Sequence, residues 1–422
     1  MPTLQADRVS QAESHHVATG EMPGAGMRVV HLAKYYPPAS GGIESHVRTL
    51  ALSQARLGCQ VDVVAVNHRA TNGDEVTFDH FRRTRSRVDR DAGVRVHRLG
   101  RQFTMARFDG VARLVPRLRR IAGGGSPCVW HLHAPNITMS LAALRLDSLR
   151  PLVITHHSDI VRQKRLAKLV MPVLEGVYKK SAAIYATSPP YLEGSQMLQR
   201  HRQKCQILPL GVDLAPFVEP NEAAKRFAAK LIADQPGPRW LTVGRMVYYK
   251  NFKMAVGALK QAPGSLMCIG EGPQLEGLRA AAVAEGVNDR ITWMGRVSED
   301  ELVGAYLAAT ALWLPSSGRA EAFGLVQVEA MASGCPVINT QIAGSGVPWV
   351  CPNEEAGLTV PVDDARALAD AAQRLVCEAG LRDRLARRGA QLARERFAAE
   401  VMAHRCLESY REVLSPARGR GR

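Results

Sequence analysis

The chain has 422 residues, 46% of them hydrophobic and 22% charged, a balance that permits two packed cores and excludes a disordered or fibrous polymer. Its 55 basic and 39 acidic residues leave a formal charge of +16, which attracts nucleic acid, anionic headgroups or phosphorylated substrates without choosing among them. No run reaches the ~18 apolar residues of a membrane span and the N-terminus lacks the order of a signal peptide, so a cytoplasmic protein is expected.

Residues 1–26 are polar and read as a disordered extension, with Met27 as an alternative start. Strand-like runs follow at 28–32, 61–66, 94–97, 128–132, 152–155, 183–186 and 206–208, separated by segments of helical spacing. That βα rhythm predicts a parallel sheet covered on both faces, in a domain spanning 27–210. Inside it, segment 80–120 carries thirteen arginines against three aspartates. The run 161–178 places Leu166, Leu169, Val170, Val173, Leu174 and Val177 at helical spacing, with Pro172 expected to kink or divide it. A helix packed on the sheet explains this stripe; with the arginines nearby, a contact with an acidic membrane surface stays open.

The polar stretch 211–238 predicts an inter-domain connection with room for one short helix. Strand-like runs resume at 240–243, 266–269, 291–293, 311–314, 336–338 and 357–360, so a second α/β domain is expected over 239–396. Helical patterns at 363–377 and 380–396 precede a third at 397–414, read as returning to the first domain, and 415–422 is a basic tail. The eight cysteines show no CxxC and fall largely in apolar runs, which predicts buried reduced thiols.

In doubly wound sheets ligands gather beyond the carboxyl ends of strands, beside helix N-termini. After the first strand come Gly41 and Gly42, which let the backbone approach an anion or sugar, or serve only as a tight turn. No GxGxxG is present, which counts against a nicotinamide enzyme. The fourth strand ends in His131-Leu132-His133-Ala134-Pro135-Asn136, where only His133 need project; a core or helix-capping histidine is the other reading. Two histidines without a third ligand make a weak metal site. Arg245 and Lys250 follow the first strand of the second domain and can converge on a diphosphate, although a solvated basic loop looks similar. The strongest signal runs from Pro315 to Gly334: Glu321 lies in a loop, and Glu329 sits in an otherwise apolar helical run where a carboxylate is costly without a partner.

In this order these residues resemble the large family 4 of retaining GT-B glycosyltransferases, from Met27 to about Leu414. The most specific mark is the pair of glutamates in EAFGLVQVE, Glu321 and Glu329. A narrower resemblance, to bacterial mannosyl- and rhamnosyltransferases of lipopolysaccharide, O-antigen or exopolysaccharide synthesis, rests on THHSDIVRQK at 155–164, GRMVYYKNF at 244–252 and GSGVPWV at 344–350. The resemblance implies a GT-B fold, two Rossmann-like α/β domains facing each other across a cleft. It implies that Glu321 contacts the donor sugar and Glu329 the ribose, with Ala322, Phe323, Gly324 and Leu325 beside them. Gly41 and Gly42 become the phosphate-approaching loop, His133 the cleft histidine, Arg245 and Lys250 the diphosphate clamp, and His156, His157, Ser158 and Asp159 the acceptor side. Asn251 and Cys351-Pro352-Asn353 depart from the family pattern and bear on loop geometry.

The expected donor is GDP-mannose or a GDP-6-deoxyhexose such as GDP-rhamnose, and the acceptor a lipid-linked glycan. A UDP-sugar carrying glucose or an N-acetylhexosamine is the alternative donor, and a noncatalytic nucleotide-sugar or nucleic-acid binder the alternative class. Without a recognisable nucleic-acid module, no specific nucleic-acid partner is expected. No Asp-x-Asp stands at a strand end, so neither metal nor cofactor is expected, and Arg245 and Lys250 take the electrostatic role.

Overall fold

The computed structural model describes residues 22–39, 41–69, 81–105, 108–123, 127–159 and 164–415. They divide into two units: Met1–Tyr185, Gln203–Gln206 and Met402–Arg422 belong to the first, Ala186–Arg202 and Ile207–Val401 to the second.

The first unit holds β1 (Arg28–Leu32), β2 (Gln60–Val66), β3 (Arg87–Asp91), β4 (Val94–Leu99), β5 (Arg101–Met105), β6 (Phe108–Val111), β7 (Cys128–Ala134), β8 (Leu152–His156), β9 (Ala183–Ala186) and β10 (Cys205–Ile207). Eight of them form a sheet in the order β10-β9-β8-β7-β1-β2-β4-β3, and β5 pairs with β6 apart from it. β1 runs parallel to β2 and β7, whereas β3 is an antiparallel edge strand. Every residue of β7 and four of the five in β1 are buried, as expected for central strands covered on both faces. The sequence reading missed β3, β5 and β6 because their residues, such as Arg87-Val88-Asp89-Arg90-Asp91, carry charge where an apolar alternation would signal a strand.

The arginine-rich segment does not form one surface patch. Arg95 joins Arg28 and His97 around the buried Asp62, at 3.0, 2.8 and 2.8 Å respectively. Arg98 reaches Asp89 at 2.5 Å and donates to the Pro37 carbonyl, and Arg101 is fully buried 3.8 Å from Asp109. Asp91 pairs with Arg48 at 2.7 Å, so each aspartate of 80–120 is committed to an arginine, while Arg82, Arg83, Arg85, Arg90, Arg119 and Arg120 face outward. The helix Lys164–Lys180 passes through Pro172 unbroken; the side chains of Leu166 and Leu169 lie outside the described residues, and Val170, Leu174 and Val177 are buried.

The expected disordered extension lies mostly outside the described residues, but 22–26 is bound to the unit. Gly24 N–H donates to Leu57 O at 2.7 Å, and Arg411 donates to Pro23 O. At the other end Met402–Leu414, the greater part of the helix Ala399–Leu414, belongs to the first unit. Residues 416–422 lie outside the described residues.

The second unit holds β11 (Arg239–Val243), β12 (Ser265–Ile269), β13 (Ile291–Gly295), β14 (Ala311–Leu314), β15 (Val337–Thr340) and β16 (Gly357–Val360), in the order β13-β12-β11-β14-β15-β16. Neighbouring strands of this sheet run parallel. Alternation along β11 divides the core: Leu241 and Val243 enter one cluster, and Trp240 enters the other, where it stacks on Trp313 with ring centroids 5.0 Å apart. Segment 211–238 is more structured than expected, with helices Ala215–Val218 and Glu222–Asp234, whose Phe217, Ala224, Ala228 and Leu231 join the first of these clusters. All eight cysteines are free thiols, six of them buried.

Candidate active site

In each sheet the strand order reverses beside the first strand, between β1 and β7 and between β11 and β14, and a crevice opens at the carboxyl ends of strands flanking such a point. In the second unit the chain leaves β11 as Gly244-Arg245 and leaves β14 as Pro315-Ser316. Both turns carry site candidates.

Lys250 and Glu321 meet there, Nζ to Oε2 at 2.6 Å, and both are buried. The Ser316 hydroxyl donates to the same carboxylate oxygen at 3.3 Å. Burial works against the Lys250 ammonium, but the Glu321 carboxylate outweighs it and holds the lysine above its ordinary pKa. A charged lysine is therefore fixed at a strand end, with its carbon chain packed against Gly244. Arg245 is exposed on the preceding turn, so the expected clamp consists of one anchored cation and one solvent-facing one.

Hydrogen bonds from the rest of the unit hold this loop. Ser317 N–H donates to Tyr249 O at 2.9 Å, linking the two turns directly. Ser345 Oγ donates to Glu321 O at 2.5 Å, and Gly346 N–H donates to Ala322 O at 2.9 Å. The buried Gln327 amide donates to Phe323 O at 2.7 Å and Val347 O at 3.1 Å. Gly324, at φ 74, precedes the helix Leu325–Ala332, and a Cβ there would sit 2.9 Å from Leu314 Cδ2 and 3.0 Å from Gln327 Nε2; only glycine fits both the backbone and the space. Asn251 takes up φ 51, a left-handed conformation that asparagine tolerates better than most side chains, and its amide donates to Asp363 at 2.8 Å. The residue that departs from the family pattern thus holds a left-handed turn.

Glu329 has a partner that the sequence concealed. The Tyr306 hydroxyl, on the helix Glu299–Ala308, donates to Glu329 Oε2 at 2.8 Å. Desolvation raises the Glu329 pKa, and Tyr306 and Lys250 only partly offset it. A carboxyl whose pKa is raised on folding favours the native state while protonated and loses stability as pH climbs through the range just above its unfolded value. Glu329→Gln keeps an acceptor for Tyr306 without the charge. It is expected to stabilise the ligand-free protein at pH 7 and to flatten the fall of stability as pH rises above the ordinary carboxylate range, as read by urea unfolding. A loss of stability at pH 7 would show instead that the charge supports the fold.

The first-unit candidates lie around β1, β7 and β8. Gly41 and Gly42 open the helix Gly42–Arg56, and the Glu44 carboxylate packs where a Gly41 side chain would be. Both His131 and His133 are buried, so the strand end does not expose His133 as expected. His133 Nε2 lies 3.0 Å from His31 Nδ1, and His133 Nδ1 lies 3.1 Å from His157 Nε2. His31 Nε2 meets Gln54 Oε1 at 2.8 Å, and Gln54 Nε2 donates to the Tyr410 hydroxyl at 3.2 Å. His131 contacts Tyr410 OH at 2.6 Å and Thr155 Oγ1 at 2.7 Å. Asn136 instead caps the helix Ile137–Ala143, accepting from Met139 N–H at 3.2 Å. His156 binds Tyr178 OH at 2.6 Å and Asp159 at 3.3 Å, and Ser158 and Asp159 are half-buried.

Burial dominates this histidine group electrostatically. It lowers His31 to about 4 and His46 to about 3, and holds His131, His133 and His157 well below the ordinary imidazole value, with mutual repulsion adding to the effect. All five rings are neutral at pH 7. Sequence reading found His133 and His157 but missed His31, His46, Gln54, Tyr410, Ser316 and Tyr306. The available signal was a polar residue interrupting an otherwise buried strand, as His31 does in β1.

Two doubly wound units, each with a strand-order reversal beside its first strand, form an architecture that nucleotide-binding enzymes use. Two family models cover the chain in turn: Glycosyltransferase Family 4 matches residues 40–216, and Glycosyl transferases group 1 matches residues 224–392. The chain belongs to these glycosyltransferases and has their GT-B fold. It is 26% identical to O-antigen chain mannosyltransferase C of Escherichia coli over 92% of this chain and 99% of that protein. It is 29% identical to D-rhamnosyltransferase WbpZ of Pseudomonas aeruginosa over 82% of this chain and 85% of that protein. Among solved structures, Anabaena HepE in complex with UDP matches with a TM-score of 0.68 at 16% identity, over 92% of this chain and all of that one. The protein is a hexosyltransferase using a nucleotide-sugar donor and a glycan acceptor.

Proposed function

We propose that the second unit binds the donor diphosphate at Lys250 and Arg245, and that Glu321 aligns both the lysine and the transferred sugar. The observation carrying this reading is the buried 2.6 Å pair at the strand switch point. In the reaction, the bond from the anomeric carbon to the diphosphate breaks and one to the acceptor hydroxyl forms on the same face. The hydroxyl proton leaves with the departing diphosphate. Negative charge grows on that diphosphate, and fixed cations stabilise it most effectively where water is excluded. Glu329 contributes a ribose contact in this reading.

Two donor bases compete. A UDP-sugar is supported by the UDP-bound structure that shares the fold. For GDP-mannose or a GDP-linked rhamnose, the names of the two bacterial relatives support the sugars, mannose and rhamnose, and say nothing of the base. The O-antigen named for the first relative favours a surface-polysaccharide acceptor, and we place a lipid-linked form of it at an acidic inner-membrane face met by the outward arginines of the first unit. No helix of the described residues is long and apolar enough to cross a membrane.

Thermal melts with equal concentrations of UDP and GDP separate the bases, because a ligand of the folded state raises the midpoint with concentration. A shift with UDP alone establishes the UDP reading, and one with GDP alone the GDP reading. Arg245→Ala should shrink whichever shift appears. No shift with either nucleotide would remove the diphosphate assignment.

A further inference from the structure

We propose that His46, His133 and His157 form a binding site for a divalent transition-metal ion, zinc by chemical class, inside the first unit. One ring nitrogen from each lies within 4.8 Å of the others, and all three residues are buried. They come from three elements: the helix Gly42–Arg56, the end of β7 and the segment after β8.

The decisive observation is His46. It is 1% exposed, its ring centroid lies 4.9 Å from that of His157 and 5.6 Å from that of His133, and among the described residues neither of its nitrogens has a hydrogen-bond partner. Leaving a buried polar group unpaired costs about 1–3 kcal/mol, and an ion accepting the imidazole lone pair relieves the share that falls on that nitrogen.

Hydrogen-bond polarity orients a second ligand. Gln54 gives its amide hydrogens to Tyr410 and Cys406, so its oxygen accepts from His31 Nε2–H. His31 Nδ1 must then accept from His133 Nε2–H. That leaves His133 Nδ1 as a lone pair directed at His157 Nε2, 3.1 Å away. Zinc–imidazole bonds of about 2.0–2.1 Å set nitrogens about 3.3 Å apart in a tetrahedron, so this edge is nearly formed and rotation of His46 closes the triangle. On binding, His157 shifts its proton to Nδ1. His133 keeps its other N–H on His31, the kind of outer hydrogen bond that orients metal-bound imidazoles. His31, His131 and His133 form a second group within 4.8 Å, but Tyr410 and Thr155 already engage both His131 nitrogens. The structure therefore favours the triad containing His46. Three neutral nitrogens suit zinc, copper or nickel better than magnesium or calcium, and the fourth position takes water or hydroxide.

The test uses tag-free full-length protein stripped with chelator and loaded with Zn²⁺ alone. Metal analysis after gel filtration should find about one zinc per chain, and thermal melts at about a hundred times Kd should rise by roughly 5–10 °C. Melts without metal verify folding of each variant. His46→Leu should weaken binding by about 100-fold or more, beyond the cost of an outer-shell change. His404→Gln, on the final helix, should bind as the parent does. Absence of retained zinc overturns the site, as does binding that survives His46→Leu or disappears in His404→Gln. Loss in His131→Phe with retention in His46→Leu would move the ion to the other triad and overturn this assignment.

Discussion

Chelator-treated protein taken from pH 7 to pH 5.5 is expected to lose about 6 kcal/mol of folding free energy from its buried histidines alone. His31, His46, His131, His133 and His157 are neutral in the folded state, with pKa values lowered by burial to about 4 for His31 and about 3 for His46. In the unfolded chain each returns to about 6.5. Below that pH the unfolded state binds protons that the native state refuses, so stability falls as pH falls. The loss compares with the ~5–15 kcal/mol that domains have in total, so partial unfolding near pH 5.5 is expected. Hydrogen exchange, corrected for intrinsic rates, should show lost protection in β1 and β7 while β11 and β14 keep theirs. Equal protection of β1 and β7 at both pH values would mean that the imidazoles already carry protons when folded.

The second large effect concerns Lys250 and Glu321. Lys250→Met leaves the Glu321 carboxylate buried without its cation, and breaking such a pair costs about 3–5 kcal/mol. Glu321→Gln strands the ammonium with a similar penalty. The double variant should recover most of that stability, because a methionine and an amide need no charge compensation, yet sugar transfer should stay below that of the parent by about 100-fold or more. Urea unfolding and a transfer assay on the same four proteins check this. If the double variant regains transfer, the pair serves the fold and not the reaction.

The alternating strands were legible because central parallel strands are nearly continuous apolar runs, and β1, β9, β14 and β16 begin and end where the pattern does. β3 was not legible, since an edge strand of arginines and aspartates resembles a loop. Segment 211–238 read as a linker because alanine, lysine and glutamate carry little burial signal, although three small or apolar residues of Glu222–Asp234 enter the core. Lys250, Glu321 and Glu329 stood out individually, each a charge in an unusual setting. Their pairings with one another, Ser316 and Tyr306 depend on how β11 and β14 lie side by side, which no local pattern encodes. The histidine network was the least legible feature: His31, His46, Gln54 and Tyr410 lie on separate elements, and only the folded chain brings them together.

The return of Met402–Leu414 to the first unit has a consequence for synthesis. Gln54 and His131 both rely on Tyr410, and Tyr185 donates to Ser409 at 2.8 Å. The ribosome releases β1 to β10 before any of these partners exist, and the whole second unit must be translated first. At about 5–20 residues per second, the first unit waits on the order of 10–40 s with its polar interior incomplete. The second unit, whose strands and loop braces all lie between Ala186 and Val401, meets no such delay. The nascent chain thus reverses the order in which its halves emerge, settling the later one before the earlier can close.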